Sequence, residues 1–131
     1  MRAIARRRDG RLTHDVDVRE HSLTADEPEG RGGDDQGPSP QELLAASLAS
    51  CTAITIEMYA DRKGWEIGEV TVDVDYEPAQ RGSPTRFSMS VRLPKELPEE
   101  QRERLMQIVA RCPVHRTLEG EVIFDEKLEL V

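Results

Sequence analysis

Apolar and polar positions divide this chain into segments of clearly different character. Between Leu43 and Ala60 the only formal charge is Glu57. A helix that apolar on most sides belongs in a core rather than on a surface. Its ends are marked. Ser39 followed by Glu42 makes a capping box, with Pro40 at the first helical position, and Gly64 after Lys63 supplies a left-handed stop. The pattern predicts one long helix over residues 38–63, with Cys51 near its middle on the face of Leu44, Leu48, Thr55 and Met58. As a membrane span it is poor. Its length is near the lower limit of about 17 residues, and Ser47, Ser50, Thr52, Thr55 and Glu57 dilute it.

Other segments alternate with period two. Residues 3–7 and 11–20 read as strands joined by Asp9-Gly10, a strong hairpin signal, and a further strand is expected at His21–Ala25. Val70, Val72, Val74 and Tyr76 alternate with polar residues, as do Phe87, Met89, Val91 and Leu93. Each strand therefore has one apolar and one polar face, as antiparallel sheets do. Pro98 opens a second helix in which Leu105, Ile108, Val109 and Cys112 share one face, and Pro113 stops it. Residues 122–131 read as a last strand. The segment 26–39, rich in glycine, proline and acidic residues, has nothing apolar to pack and reads as a loop whose order the pattern leaves open. Its Gly32-Gly33 pair lacks the lysine and the leading strand of a phosphate loop. Strands, helix, strands, helix, strand is an α+β order with antiparallel sheets, in a single domain over residues 1–131.

Composition narrows the partners. Of the 131 residues, 37% are hydrophobic and 34% charged, so the core must be thin, and dimerisation is one way to complete it. The net charge of −8 argues against nucleic acid or an anionic membrane as the main partner. The run Arg6-Arg7-Arg8 reads as a solvated strand end. The first residues lack the apolar stretch of a signal peptide, so a cytoplasmic protein is expected, in which two cysteines are a weak case for a structural disulfide.

The two cysteines admit several readings. Both lie on apolar helix faces, where a free cysteine is commonly a small buried hydrophobe. As a redox pair, one thiol attacks and the other resolves, and the attacker needs a lowered pKa supplied by a nearby Arg, Lys or protonated His. His115 makes a Cys-x-x-His spacing with Cys112. Together with Cys51 and His21 it could form a zinc set, although no second pair flanks Cys51. A Cys–His nucleophile would need an orienting Asn or Asp, and none stands out.

The stretches GPSPQELLAASLASCTAITIEMYA, REHSLTADEP and ARCPVHRTLEGEV together resemble the OsmC/Ohr family of osmotically inducible and organic-hydroperoxide-resistance proteins. The resemblance runs from about His14 to the end and is nearest to the OsmC-like redox-protein branch. It implies an OsmC-like fold, with antiparallel sheets wrapped around the long central helix in an intertwined homodimer. It also implies a thiol peroxidase without metal or organic cofactor. Cys51 would attack an organic hydroperoxide and become a sulfenic acid, Cys112 would close a disulfide, and a dithiol reductant, lipoyl-type in the Ohr branch, would reset the pair. The family's arginine beside the thiolate corresponds to Arg19, with Arg8 and Arg11 as alternatives, and its partner acid to Glu42. The family acid directly follows the helix-starting proline, where this chain has Gln41. One residue is about 100° of helix, so Glu42 need not point the same way. The rival reading is a non-catalytic protein of the same fold that binds an apolar small molecule or acts as a passive redox sensor.

Overall fold

The computed structural model describes residues 1–94 and 96–131. They form two compact units, residues 1–46 with 76–85 and residues 47–75 with 86–131.

The first unit holds strands β1 (Ile4–Arg7), β2 (His14–Val18) and β3 (His21–Ala25) in an antiparallel sheet of that order. Val16 pairs with Ala5 on one side and Leu23 on the other. The basic run is tied to its neighbour strand, with Arg6 2.7 Å from Asp17 and Arg8 3.2 Å from Asp15. The Asp9-Gly10 turn is there, but its loop is longer than a two-residue hairpin, because the Arg8 N–H closes on the Thr13 carbonyl at 2.9 Å. The tight turn is instead Arg19-Glu20, between β2 and β3, where Arg19 takes a left-handed φ of 55°.

The segment after β3 is organised rather than loose. Asp26, only 2% exposed, accepts hydrogen bonds from the Thr13 hydroxyl at 2.8 Å and the N–H groups of Glu27 at 2.7 Å and Gln36 at 3.1 Å. A short 3-10 turn, Glu29–Arg31, follows. Gly37 is required by close approach: a β-carbon there would run into the Thr24 carbonyl. With no apolar residues to pack, the segment's order was open in the sequence. A buried carboxylate bonded to backbone N–H groups supplies it.

Helix α1 (Pro40–Lys63) begins in this unit with the expected capping box. The Ser39 N–H donates to Glu42 Oε1 at 2.9 Å, and the Glu42 N–H donates to Ser39 Oγ at 3.2 Å. Its far end lies in the second unit and closes on Gly64, at φ 69°. There the N–H groups of Gly64 and Trp65 donate to the carbonyls of Asp61 and Ala60 at 3.0 and 2.9 Å, a Schellman cap.

The second unit also contains α2 (Glu99–Val109) and α3 (Pro113–Glu119). Strands β4 (Thr71–Glu77) and β5 (Arg86–Arg92) form a two-stranded sheet. Asp73, early in β4, bonds Arg92, at the end of β5, as an antiparallel hairpin requires. Both strands show the predicted alternation, with Val72, Val74, Phe87, Met89 and Val91 half-buried and their neighbours exposed. The core joins Ile56, Tyr59 and Ala60 of α1 to Leu105, Ile108 and Val109 of α2, with Ile67 between them in sequence.

Two expectations need correction. The buried stripe of α1 is Leu48, Thr52, Ile56, Tyr59 and Ala60, whereas Met58 is 59% and Ile54 55% exposed. The stripe is rotated from the expected Cys51 face because steps of four and three residues starting from Leu48, not the apolar count, choose what faces α2. By length and composition α1 would also pass for a membrane span, yet it carries the core of this unit. Residues 122–131 form no strand, and Ile123, Phe124, Leu128 and Leu130 are exposed. A β pattern needs a ladder partner for its backbone groups, and among the described residues this segment has none.

Candidate functional site

The packing of α1 on α2 explains how two distant cysteines meet. Cys112 extends the buried α2 stripe one turn beyond Ile108 and Val109, and it is 0% exposed. Its own N–H reaches back to the Val109 carbonyl at 3.3 Å, and its carbonyl accepts from the Arg116 N–H at 3.0 Å. It therefore joins the end of α2 to the start of α3. Cys51 is half-buried on α1. Both are free thiols, and they lie near enough for each to shift the other's ionisation.

The surroundings of the two sulfurs differ. Burial pushes the Cys51 thiol above its ordinary value, and its neighbour Cys112 adds to the rise. The Val114 N–H and the Thr55 hydroxyl oppose these effects without reversing them. Burial also pushes Cys112 up, but the Cys51 thiol, the His115 and Val114 N–H groups and the Thr52 hydroxyl outweigh it, so this thiol lies below its ordinary value. Cys112 makes no formal side-chain cap bond to α3. Thr52, fully buried, also places its hydroxyl 3.8 Å from Met89 Sδ.

The other candidate residues are placed as follows. Arg19 is in the β2–β3 turn of the first unit, exposed and 3.4 Å from Glu20. Arg8 pairs with Asp15, and the Arg11 N–H bonds Asp34 at 2.8 Å. Glu42 is engaged by Ser39, whose N–H and hydroxyl hold the carboxyl below the usual carboxylate range. The described contacts thus do not join Arg19 to Glu42. His21 is exposed, 3.5 Å from Glu20. His115 lies beside Cys112 in sequence, largely buried, with Nδ1 3.2 Å from Glu119 but without hydrogen-bond geometry. Among the described residues, no three His, Cys, Asp or Glu side chains gather as a metal site would need.

Two features of the site were missed in the sequence. One is α3, whose signal was Pro113: proline directly after a cap is the ordinary way to begin a helix, not only to end one. The other is Thr52, which looked like a polar dilution of α1 and turns out to face the thiol pair.

Residues 32–127 match the model of a family described as OsmC-like protein. The chain belongs to the OsmC-like protein family. The matched span contains both cysteines and the elements that bring them together. None of the curated proteins matches the chain. Among solved structures, a putative osmotic stress induced and detoxification response protein from Psychrobacter arcticus superposes with a TM-score of 0.73 at 23% identity, over 88% of this chain and 85% of that one. An organic hydroperoxide resistance protein OsmC from Legionella pneumophila gives 0.65 at 19% identity, over 92% and 90%. The organic hydroperoxide resistance protein OhrB of Bacillus subtilis gives 0.61 at 22%, over 91% and 90%. At these identities the likeness establishes the fold. It bears out the α+β expectation of antiparallel sheets and a long central helix for this OsmC-like chain.

Proposed function

We propose that this OsmC-like protein is a thiol peroxidase for organic hydroperoxides, acting through Cys51 and Cys112. The observation that carries the reading is that these two free thiols, 61 residues apart in sequence, lie near enough to shift each other's ionisation, one buried and one half-buried. A core that needed only small apolar fillers would not require two neighbouring sulfurs, whereas a disulfide cycle does. The names of the Legionella and Bacillus structures, both organic hydroperoxide resistance proteins, agree with it.

Cys51, the more exposed sulfur, takes the hydroxyl of the peroxide and becomes a sulfenic acid as the alcohol departs. Cys112 then condenses with it, releasing water and leaving a disulfide. A dithiol of the lipoyl type returns both thiols in exchange for its own disulfide. The cycle calls for no metal or organic cofactor. The buried apolar residues at helical spacing from the cysteines, Leu48 on α1 and Ile108 and Val109 on α2, favour an organic peroxide over hydrogen peroxide. Arg19 and Glu42 enter the proposal as the charged groups that tune the pair. Arg19→Ala is therefore expected to slow peroxide consumption, as is Glu42→Gln. The proposed working form is a cytoplasmic homodimer.

The deciding experiment is thiol titration of the reduced protein before and after one equivalent of cumene hydroperoxide, with mass spectrometry of the product. Loss of both thiols with a Cys51–Cys112 disulfide is expected. If both thiols survive, the peroxidase reading falls, and the cysteines are packing residues of a non-catalytic binding protein.

A further inference from the structure

The left-handed stop of α1 does more than end the helix. The Trp65 N–H donates to the Ala60 carbonyl at 2.9 Å, which folds the chain back onto the last turns of α1. In such a cap the residue after the glycine packs on the helix about a turn earlier. Here the Trp65 indole meets the Tyr59 ring edge-on, with centroids 5.7 Å apart and planes at 72°. Together with Lys63 of α1 and Glu100, Glu103 and Arg104 of α2, the two rings line an open cleft of about 550 Å³. That is the size of a small-molecule site. The cleft lies wholly within the second unit. Tyr59 is two turns of α1 beyond Cys51, about 12 Å along the axis, so the cleft is separate from the thiol pair.

The charges in the cleft suit an anion. Arg104 is held by two bonds. Its Nε donates to the Tyr59 hydroxyl at 2.8 Å, and one terminal nitrogen donates to Gln107 Oε1 at 2.9 Å. Tyr59 is only 8% exposed, so the guanidinium is anchored to a buried group. Its second terminal nitrogen has no partner among the described residues. The Lys63 ammonium is 5.7 Å from the Tyr59 centroid, and the Arg104 Cζ is 5.5 Å from it. Two cations thus share one ring. The Arg104 bond and the charges of Arg104, Lys63 and Arg111 outweigh burial and hold the Tyr59 hydroxyl below its ordinary value. Glu100 stands at the i, i+4 spacing that ordinarily pairs with an arginine. Even so, among the described residues neither cation reaches a carboxylate at ion-pair distance. Like charges this close repel each other, and a bound anion relieves that repulsion. Glu100 and Glu103 limit its charge, because two carboxylates in the lining oppose a polyanion.

We propose that this cleft binds a small aromatic monocarboxylate, with its carboxylate on Lys63 and Arg104 and its ring against Trp65. The site is independent of the peroxidase reading, since no thiol takes part in it.

Trp65 is the single tryptophan of the chain, so its fluorescence reports on this cleft alone. The probe is benzoate, titrated into the full chain. Equilibrium dialysis of radiolabelled benzoate reads the same equilibrium without the reporter. Both are expected to saturate at about millimolar benzoate, the range open to a ligand of so few atoms. Lys63→Gln and Arg104→Gln are each expected to weaken binding by about threefold or more, the worth of a partly exposed ion pair. Glu103→Gln is expected to tighten it, which a loss of packing does not produce. Circular dichroism checks that each variant is folded. Lys63 is exposed, so Lys63→Gln carries the test if Arg104→Gln does not fold. Absence of saturation by both methods overturns the proposal, as does binding that Lys63→Gln leaves unchanged. An equal response to benzyl alcohol, which lacks the charge, or to inorganic phosphate, which lacks the ring, overturns it as well. Preference for benzylamine does the same, because the glutamates then choose the ligand. The cumene hydroperoxide experiment leaves this site untouched, and the two readings fail separately.

Discussion

At the scale of single residues, the chemistry depends on donors that touch a sulfur or a carboxylate. Cys51→Ser is expected to abolish peroxide consumption, and turnover retained in that variant would sink the mechanism. Cys112→Ser should allow Cys51 to react once and then accumulate a sulfenic acid or mixed disulfide, which trapping with dimedone and mass spectrometry would reveal. Asp26 is the other residue on which much depends. Burial pushes its carboxyl up, but bonds from Thr13, Gln36, Glu27 and Asp34 outweigh that and hold it below the ordinary carboxylate value. Its folded-state pKa is thus depressed, so the stability it contributes is present above the ordinary value and lost as pH falls through the folded one. Urea unfolding of Asp26→Asn should show a lower midpoint than wild type at neutral pH, with the gap closing in acid. A gap that stays constant with pH would contradict this. Neither Asp26 nor Thr52 stood out in the sequence, because what each does depends on groups far away along the chain.

At the scale of elements, α1 shows how composition and packing divide the work. Its ends were legible because caps are local: Ser39, Pro40, Glu42 and Gly64 act on backbone groups within a turn of themselves. Its buried face was less so. The stretch is apolar nearly all round, and only contact with α2 selects Leu48, Thr52, Ile56, Tyr59 and Ala60. Ile56→Ala, at a fully enclosed position, should cost about 3 kcal/mol of unfolding free energy. Met58→Ala, on the open side, should cost well under that by the same denaturant measurement. Equal effects would mean that the exposed side is covered in solution. For α2 the periodic run Leu105, Ile108, Val109 and Cys112 was enough, because its polar remainder leaves only one face to bury.

At the scale of the whole molecule, the exposed apolar residues are the unresolved demand of the sequence. Ile54 and Met58 on α1, and Ile123, Phe124, Leu128 and Leu130 in the final segment, face solvent in the single chain. Large exposed apolar groups beside a thin core are what a homodimer would cover. Sedimentation equilibrium at micromolar protein should accordingly return twice the chain mass of 14.8 kDa. A stable species at 14.8 kDa would count against the dimer. The misread strand at residues 122–131 belongs to this scale. Its alternating pattern is real, but a strand is completed by a neighbour, and no pattern within a segment can say where that neighbour is.

By itself the sequence determined the features whose causes are local: where α1 and α2 begin and end, which strands alternate, that two cysteines sit on apolar helices, and the family to which those motifs point. Only the tertiary structure decided that the two thiols become neighbours, and that Asp26 orders a loop with nothing apolar to pack. The physical reason is range. Caps, turns and periodicity act over a few residues, whereas a thiol's ionisation and a carboxylate's bonds depend on groups that folding alone brings together.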